Sequence, residues 1–173
     1  MVAVPDARLE TLPIRLIVPD ISMRDPNISP AAGAVWGTAN LGVFIPFAVD
    51  QQIIVTQIHL EVTTTGGNVD VGIYDEAGNR LVSNGAVATA AAGVQTFNIT
   101  DTTLVPGRYY VGISCSATTP AFKECSPLWA ASAVGATLVG ARQAAAVHPL
   151  PATVTYATPT RLTMPLFSLE TIV

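Results

Sequence analysis

Charge is what this sequence has least of. Only 12% of its 173 residues are charged while 50% are hydrophobic, and the single lysine, Lys123, stands beside seven arginines. That charged share is about half the usual one. The net charge of −4 and the absence of any Lys/Arg cluster exclude a nucleic-acid face, which needs a basic patch. Histidine and cysteine are scarce too. Cys115 and Cys125 lie ten apart, near enough to meet across a loop, while His59 and His148 are distant from them and from each other. Two thiols without neighbouring ligands give no zinc spacing, and no cofactor is expected. Every charge-free stretch is interrupted by glycine, proline, threonine or Arg142, so none reads as a membrane span. The opening MVAVPDARLETLP lacks the basic start and apolar centre of a secretion leader. The expectation is therefore reduced cysteines and unmodified sequons at Asn27 and Asn98.

Reactive signatures are missing as well. There is no GxSxG, HExxH, CxxC, P-loop or GxGxxG in a strand-to-helix setting, and the chain is not expected to be an enzyme. Asp70 and Asp75 invite a calcium or glycosidase reading, but they differ in strand parity and should point to opposite faces. Asp75 and Asn79 are better read as bonding backbone groups within a turn.

What is present, from Val35 to Ser116, is a succession of short apolar runs with a period near two, separated by turn residues. That pattern predicts an antiparallel β-sandwich. Leu41, Val43, Ile45 and Phe47 share a face, with Pro46 marking an edge or bulge. Ile54, Ile58, Leu60 and Val62 form the next inward row, with His59 and Glu61 outward. Val69, Val71 and Ile73 form a third row, leading into a hairpin whose Gly78-Asn79 suits positive φ and which returns through Arg80, Leu81 and Val82. Phe97 and Ile99 mark a fifth strand. Pro106-Gly107 reads as a turn with a left-handed glycine, launching Tyr109, Val111, Ile113 and Cys115. Leu128 to Val147 is alanine-rich and holds either a short helix or a long loop. Leu162, Met164 and Leu166 close the pattern.

Residues 1–35 have another texture. Pro5, Pro13, Pro19, Pro26 and Pro30 preclude a long helix or a central strand. The expectation is an extended arm, residues 1–35, laying Leu12, Ile14, Leu16 and Val18 on a neighbouring surface, or else folding back on its own domain, residues 36–173. Four aromatics, Trp36, Tyr74, Tyr110 and Trp129, do not sit inward by strand parity or fall in loops. They are candidates for core or subunit-interface burial, or for stacking on a glycan. Low charge points to a surface that meets other subunits.

The order of these segments is distinctive. GVFIPFAVDQQIIVTQIHLEVTT, VDVGIYDEAGNRLVSNG, GVQTFNIT and LVPGRYYVGISCS follow one another, and the stretch from Trp36 to Leu169 resembles a β-sandwich domain of tailed-bacteriophage structural proteins. The resemblance implies a jelly-roll-like module of tail fibres, tail tips and related virion parts, homo-oligomeric and commonly trimeric. It also implies assembly in the host cytoplasm into the virion, beside major capsid or tail proteins. Fibre modules usually follow a long stalk, whereas here the module follows a short proline-rich arm. That favours a head decoration or cement protein, the alternative being a tail-fibre or baseplate module that binds host-surface glycan. Neither nucleic acid nor membrane is an expected partner.

Overall fold

The computed structural model describes residues 30–125, 140–160 and 163–172. Twelve strands run through them: β1 (Pro30–Val35), β2 (Gly42–Val49), β3 (Ile53–Thr64), β4 (Asn68–Asp75), β5 (Arg80–Ser83), β6 (Val87–Ala88), β7 (Gly93–Leu104), β8 (Gly107–Cys115), β9 (Ala121–Cys125), β10 (Arg142–Ala144), β11 (Met164–Pro165) and β12 (Phe167–Ile172). No helix occurs among the described residues. The strands form two six-stranded antiparallel sheets. In the first, β1 pairs β9, β9 pairs β3, and β3 is flanked by β12 on one side and β7 on the other, with β11 on β9. The second runs β10-β2-β8-β4-β5, with β6 beside β4.

Two long ribbons tie the sheets together. β3 leads into β4 and β7 into β8; β3 pairs with β7 in one sheet while β4 pairs with β8 in the other. The two crossings lie at opposite ends of these pairs: residues 65–67 leave the first sheet beside the Gly93 end of β7, and residues 105–106 leave it beside the Ile53 end of β3. The fold is the antiparallel β-sandwich that the alternation predicts.

The core between the sheets follows the period-two rule. Val43, Ile45, Phe47, Val69, Val71, Ile73, Tyr109, Val111, Ile113 and Cys115 face inward from the second sheet and are buried. Phe97, Ile99, Phe122, Phe167 and Leu169 meet them from the first. Each fully buried aliphatic or aromatic side chain contributes about 1.5–3 kcal/mol of transfer free energy.

The departures have local causes. Ile54 points outward, and Ile53 and Val55 take its place in the core. A paired irregularity sits where Thr56 opposes residues 99–101, so β3 changes parity between Val55 and Ile58. Leu166 is only half-buried, because the chain shifts from β9 to β3 between β11 and β12, and Phe167 and Leu169 take the inward row instead. Leu162 lies outside the described residues. Pro46 sits in a strand flanked on both sides, but β10 covers only Gly42–Phe44, so β2 is an edge at Pro46 itself. Gly107 opens β8 as a strand residue and is not left-handed, whereas Gly78 does adopt positive φ (89°) in the hairpin. Residues 30–35, read from the sequence as part of the arm, are the first strand of the sandwich. Gly33 rests so closely on Thr63 that a Cβ would fall 1.7 Å from its Oγ1. Of the alanine-rich stretch, residues 128–139 lie outside the description and the remainder holds β10.

Gly72 lies between β8 and β5, where a Cβ would come 2.5 Å from the Val82 carbonyl oxygen. Backbone cannot yield as a side chain does. Gly72→Ala should therefore lower stability by about 1–3 kcal/mol, the usual cost of overpacking, read as a reduced urea midpoint.

Candidate functional site

The second sheet is buried on both faces. Its outward row, Phe44, Tyr74 and Tyr110, would meet solvent in a simple two-layer sandwich. Instead residues 144–157 pass over it as a strap, and Phe44, Tyr74, Tyr110, Ala144, Leu150 and Val154 make a second apolar cluster, with Val147 and Tyr156 against it. Phe44 meets Tyr74 edge-on at 5.2 Å and Tyr156 at 5.3 Å, and Tyr110 lies 4.9 Å from Tyr156. Such pairs add about 0.5–1.5 kcal/mol each beyond their area.

Polar groups fix the strap's register. Arg80 N–H donates to Ala152 O at 2.8 Å and Val154 N–H to Gly78 O at 2.9 Å. Tyr74 Oη donates to Pro151 O at 2.6 Å, Tyr156 Oη donates to Asp75 O at 3.0 Å, and the Arg80 guanidinium donates to Leu150 O. Asp70 is the buried anchor: its carboxylate accepts from Ser83 Oγ at 2.7 Å and from the Leu150 amide at 2.9 Å. Ser114, its cross-strand partner, lies 3.0 Å from His148 Nδ1. Serine, histidine and aspartate thus sit in one layer. Both Asp70 oxygens are nevertheless engaged elsewhere, and Ser114 is fully buried, so what this arrangement accomplishes is holding the strap.

Burial pushes the Tyr74 hydroxyl well above its ordinary range, with Arg80 opposing and Asp70 adding to the rise. Burial does the same for Tyr156, reinforced by Tyr110, Asp75 and Tyr74. Asp75 behaves as the turn reading requires. What burial it has pushes its carboxyl up, but the Asn79 side chain and the amides of Asn79, Ala77 and Gly78 outweigh that and hold it below the usual carboxylate range. Asp70 and Asp75 occupy opposite sides of β4, as their parity predicts.

Of the four aromatic candidates, Trp36 (1% exposed), Tyr74 (0%) and Tyr110 (4%) are covered by the chain's own atoms. Trp36 donates Nε1–H to Leu41 O at 3.1 Å and stands edge-on to Phe122. Core burial is their position, and none of the three offers a ring face to a sugar. Trp129 and the arm residues Leu12, Ile14, Leu16 and Val18 lie outside the described residues, so nothing brings the candidate docking residues onto these rings. Sequence reading weighed Asp70 only against Asp75 and missed its anchoring role, and it missed the strap altogether. The one available signal was the outward parity of three large aromatic residues on adjacent strands.

The first sheet is different. Its outer face carries Gln57 bonded to Asn98 (2.9 Å), and His59 bonded to Thr96 (3.0 Å) and 3.6 Å from Glu170. It is polar, sparsely charged and without a strap among the described residues. β7 pairs only with β3 there, leaving its other edge open, and Val94 on it is 71% exposed. No group of three or more His, Cys, Asp or Glu that could hold a metal occurs among the described residues.

No family model, curated protein or solved structure matches the chain.

Two measurements check the strap. Asp70→Ala should destabilise by about 1–3 kcal/mol for each buried donor left unpaired, and should speed hydrogen exchange at the Leu150 amide ahead of the core. The tyrosines give a pH signature. Their raised folded-state values mean that the stabilisation from neutral Tyr74 and Tyr156 is complete below the ordinary phenol value of about 10 and declines as pH climbs beyond it. In an ultraviolet titration Tyr74 and Tyr156 should ionise only with alkaline unfolding.

Proposed function

We propose that this chain is a non-catalytic structural protein of a tailed-bacteriophage virion, a decoration or cement protein that stabilises the particle by joining its own copies to the shell. The observation that carries the reading is the chemistry of the exterior. A rigid double-sheeted body with its second sheet faced on both sides leaves the polar first sheet and its open β7 edge as contact surface, and only 12% of all residues are charged. Surfaces that meet subunits are depleted in charge at their centres, and about 1,600 Å² of buried area makes a specific contact. The resemblance of Trp36 to Leu169 to phage sandwich modules points the same way. Homo-oligomer contacts, trimeric by that resemblance, and contacts to a major capsid or tail protein are the partners that it needs; it needs neither nucleic acid nor membrane. The glycan-binding alternative loses its best support, since Trp36, Tyr74 and Tyr110 are enclosed.

A three-dimensional map of the particle encoding this chain tests the proposal. Sandwich-shaped density on the head lattice is expected; absence of the chain from purified particles overturns it. Because the proposed contact surface is sparsely charged, the protein should stay bound in 1 M salt, where the screening length falls to about 3 Å. Salt-induced release measured by sedimentation would point to electrostatic attachment instead.

A further inference from the structure

We infer that Asn84 and Gly85 form a self-modification site, where the folded sheet converts the asparagine to aspartate or isoaspartate and so loosens the strap. The inference stands apart from the virion reading. Asn84 and Gly85 are the chain's single Asn-Gly pair and lie in the connection between β5 and β6. In such a pair the glycine amide nitrogen can close a cyclic imide on the asparagine carboxamide, because no Cβ on the glycine crowds the approach. Gly85 adopts φ 80°, and a Cβ built on it would meet nothing within 4 Å, so the ring has room.

What the fold adds is a base. The Gly85 N–H donates to Ser83 Oγ at 2.9 Å, and Ser83 Oγ donates to Asp70 Oδ1 at 2.7 Å. The attacking nitrogen is therefore joined through one hydroxyl to a buried carboxylate, the geometry of general-base catalysis by relay. The Asn84 amide donates to Val71 O at 2.9 Å, which pins the loop against β4 next to Asp70. The Asn84 side-chain Oδ1 is buried and has no hydrogen-bond partner among the described residues. No hydrogen bond to that oxygen resists rotation of the carboxamide toward Gly85.

The step balances with water as its co-reactant. The Gly85 nitrogen bonds to Asn84 Cγ while its proton passes to Ser83 Oγ and the hydroxyl proton passes to Asp70. The Cγ–Nδ2 bond then breaks, and the proton returns through Ser83 to the departing nitrogen, which leaves as ammonia. Water opens the imide at either carbonyl carbon, giving aspartate or isoaspartate. Both products set a new carboxylate in a half-buried loop beside Ser83, where charge is costly. Isoaspartate also lengthens the backbone before Gly85 and draws its amide off Ser83. Asp70, which Ser83 steadies, accepts from the Leu150 amide at 2.9 Å, so the change reaches the strap.

Timed peptide mapping of the full-length protein by mass spectrometry tests this. At neutral pH the mass gain of amide-to-acid exchange should appear at Asn84 several-fold faster in folded protein than in the same chain unfolded in urea. Ser83→Ala should remove that advantage while leaving the rate in urea unchanged. Asn84→Asp should speed hydrogen exchange at the Leu150 amide several-fold, with the main core unchanged. Slower conversion in the folded chain than in urea overturns the inference, as does a folded Ser83→Ala protein that reacts as fast as the parent. An Asn84→Asp protein whose Leu150 amide exchanges at the parental rate overturns the link to the strap. None of these readouts depends on whether the protein is found in particles.

Discussion

The structure depends on one partnership made twice. β3 pairs with β7 in the first sheet, and their continuations β4 and β8 pair with each other in the second. Those two pairs place the rest. β2 attaches to the free side of β8, β12 to the free side of β3, and the inward rows of both sheets meet between the layers. The irregularity opposite Thr56 is tolerated because it changes the parity of both partners together, so Ile58 and Phe97 still face inward beyond it.

The sandwich has two unlike outer faces. β4 and β8 present Asp70, Tyr74, Tyr110 and Ser114 outward, a mixture too apolar to leave in water and too polar to bury without partners. The strap resolves both demands. Its apolar residues Leu150, Val154 and Tyr156 cover the rings, while its backbone and His148 meet Asp70 and Ser114. The first sheet answers the same problem by composition, with Gln57, His59, Thr96 and Asn98 bonding one another in the open.

The fold class, the hairpin at Asp75–Asn79 and most inward rows were legible because they are local: period-two alternation and turn chemistry are written in neighbouring residues. Ile54 was misplaced because a parity change leaves no mark in composition. Leu166 was misplaced because the step from β11 to β12 is set by two different partner strands. The strap was beyond local reading, since Leu150 reaches Asp70 across eighty positions and only the finished sheet brings them together. The same holds for the candidate aromatics: parity predicts correctly that Tyr74 and Tyr110 leave the main core, but what covers them is decided in three dimensions.

The late position of the strap has a consequence during synthesis. Ribosomes deliver about 5–20 residues per second from the amino end, so the two sheets can begin to assemble while residues 144–157 are still unmade or in the exit tunnel. For that interval Phe44, Tyr74 and Tyr110 form a bare aromatic plate on the nascent body. The plate stays bare until residues 144–157 emerge and pack on it.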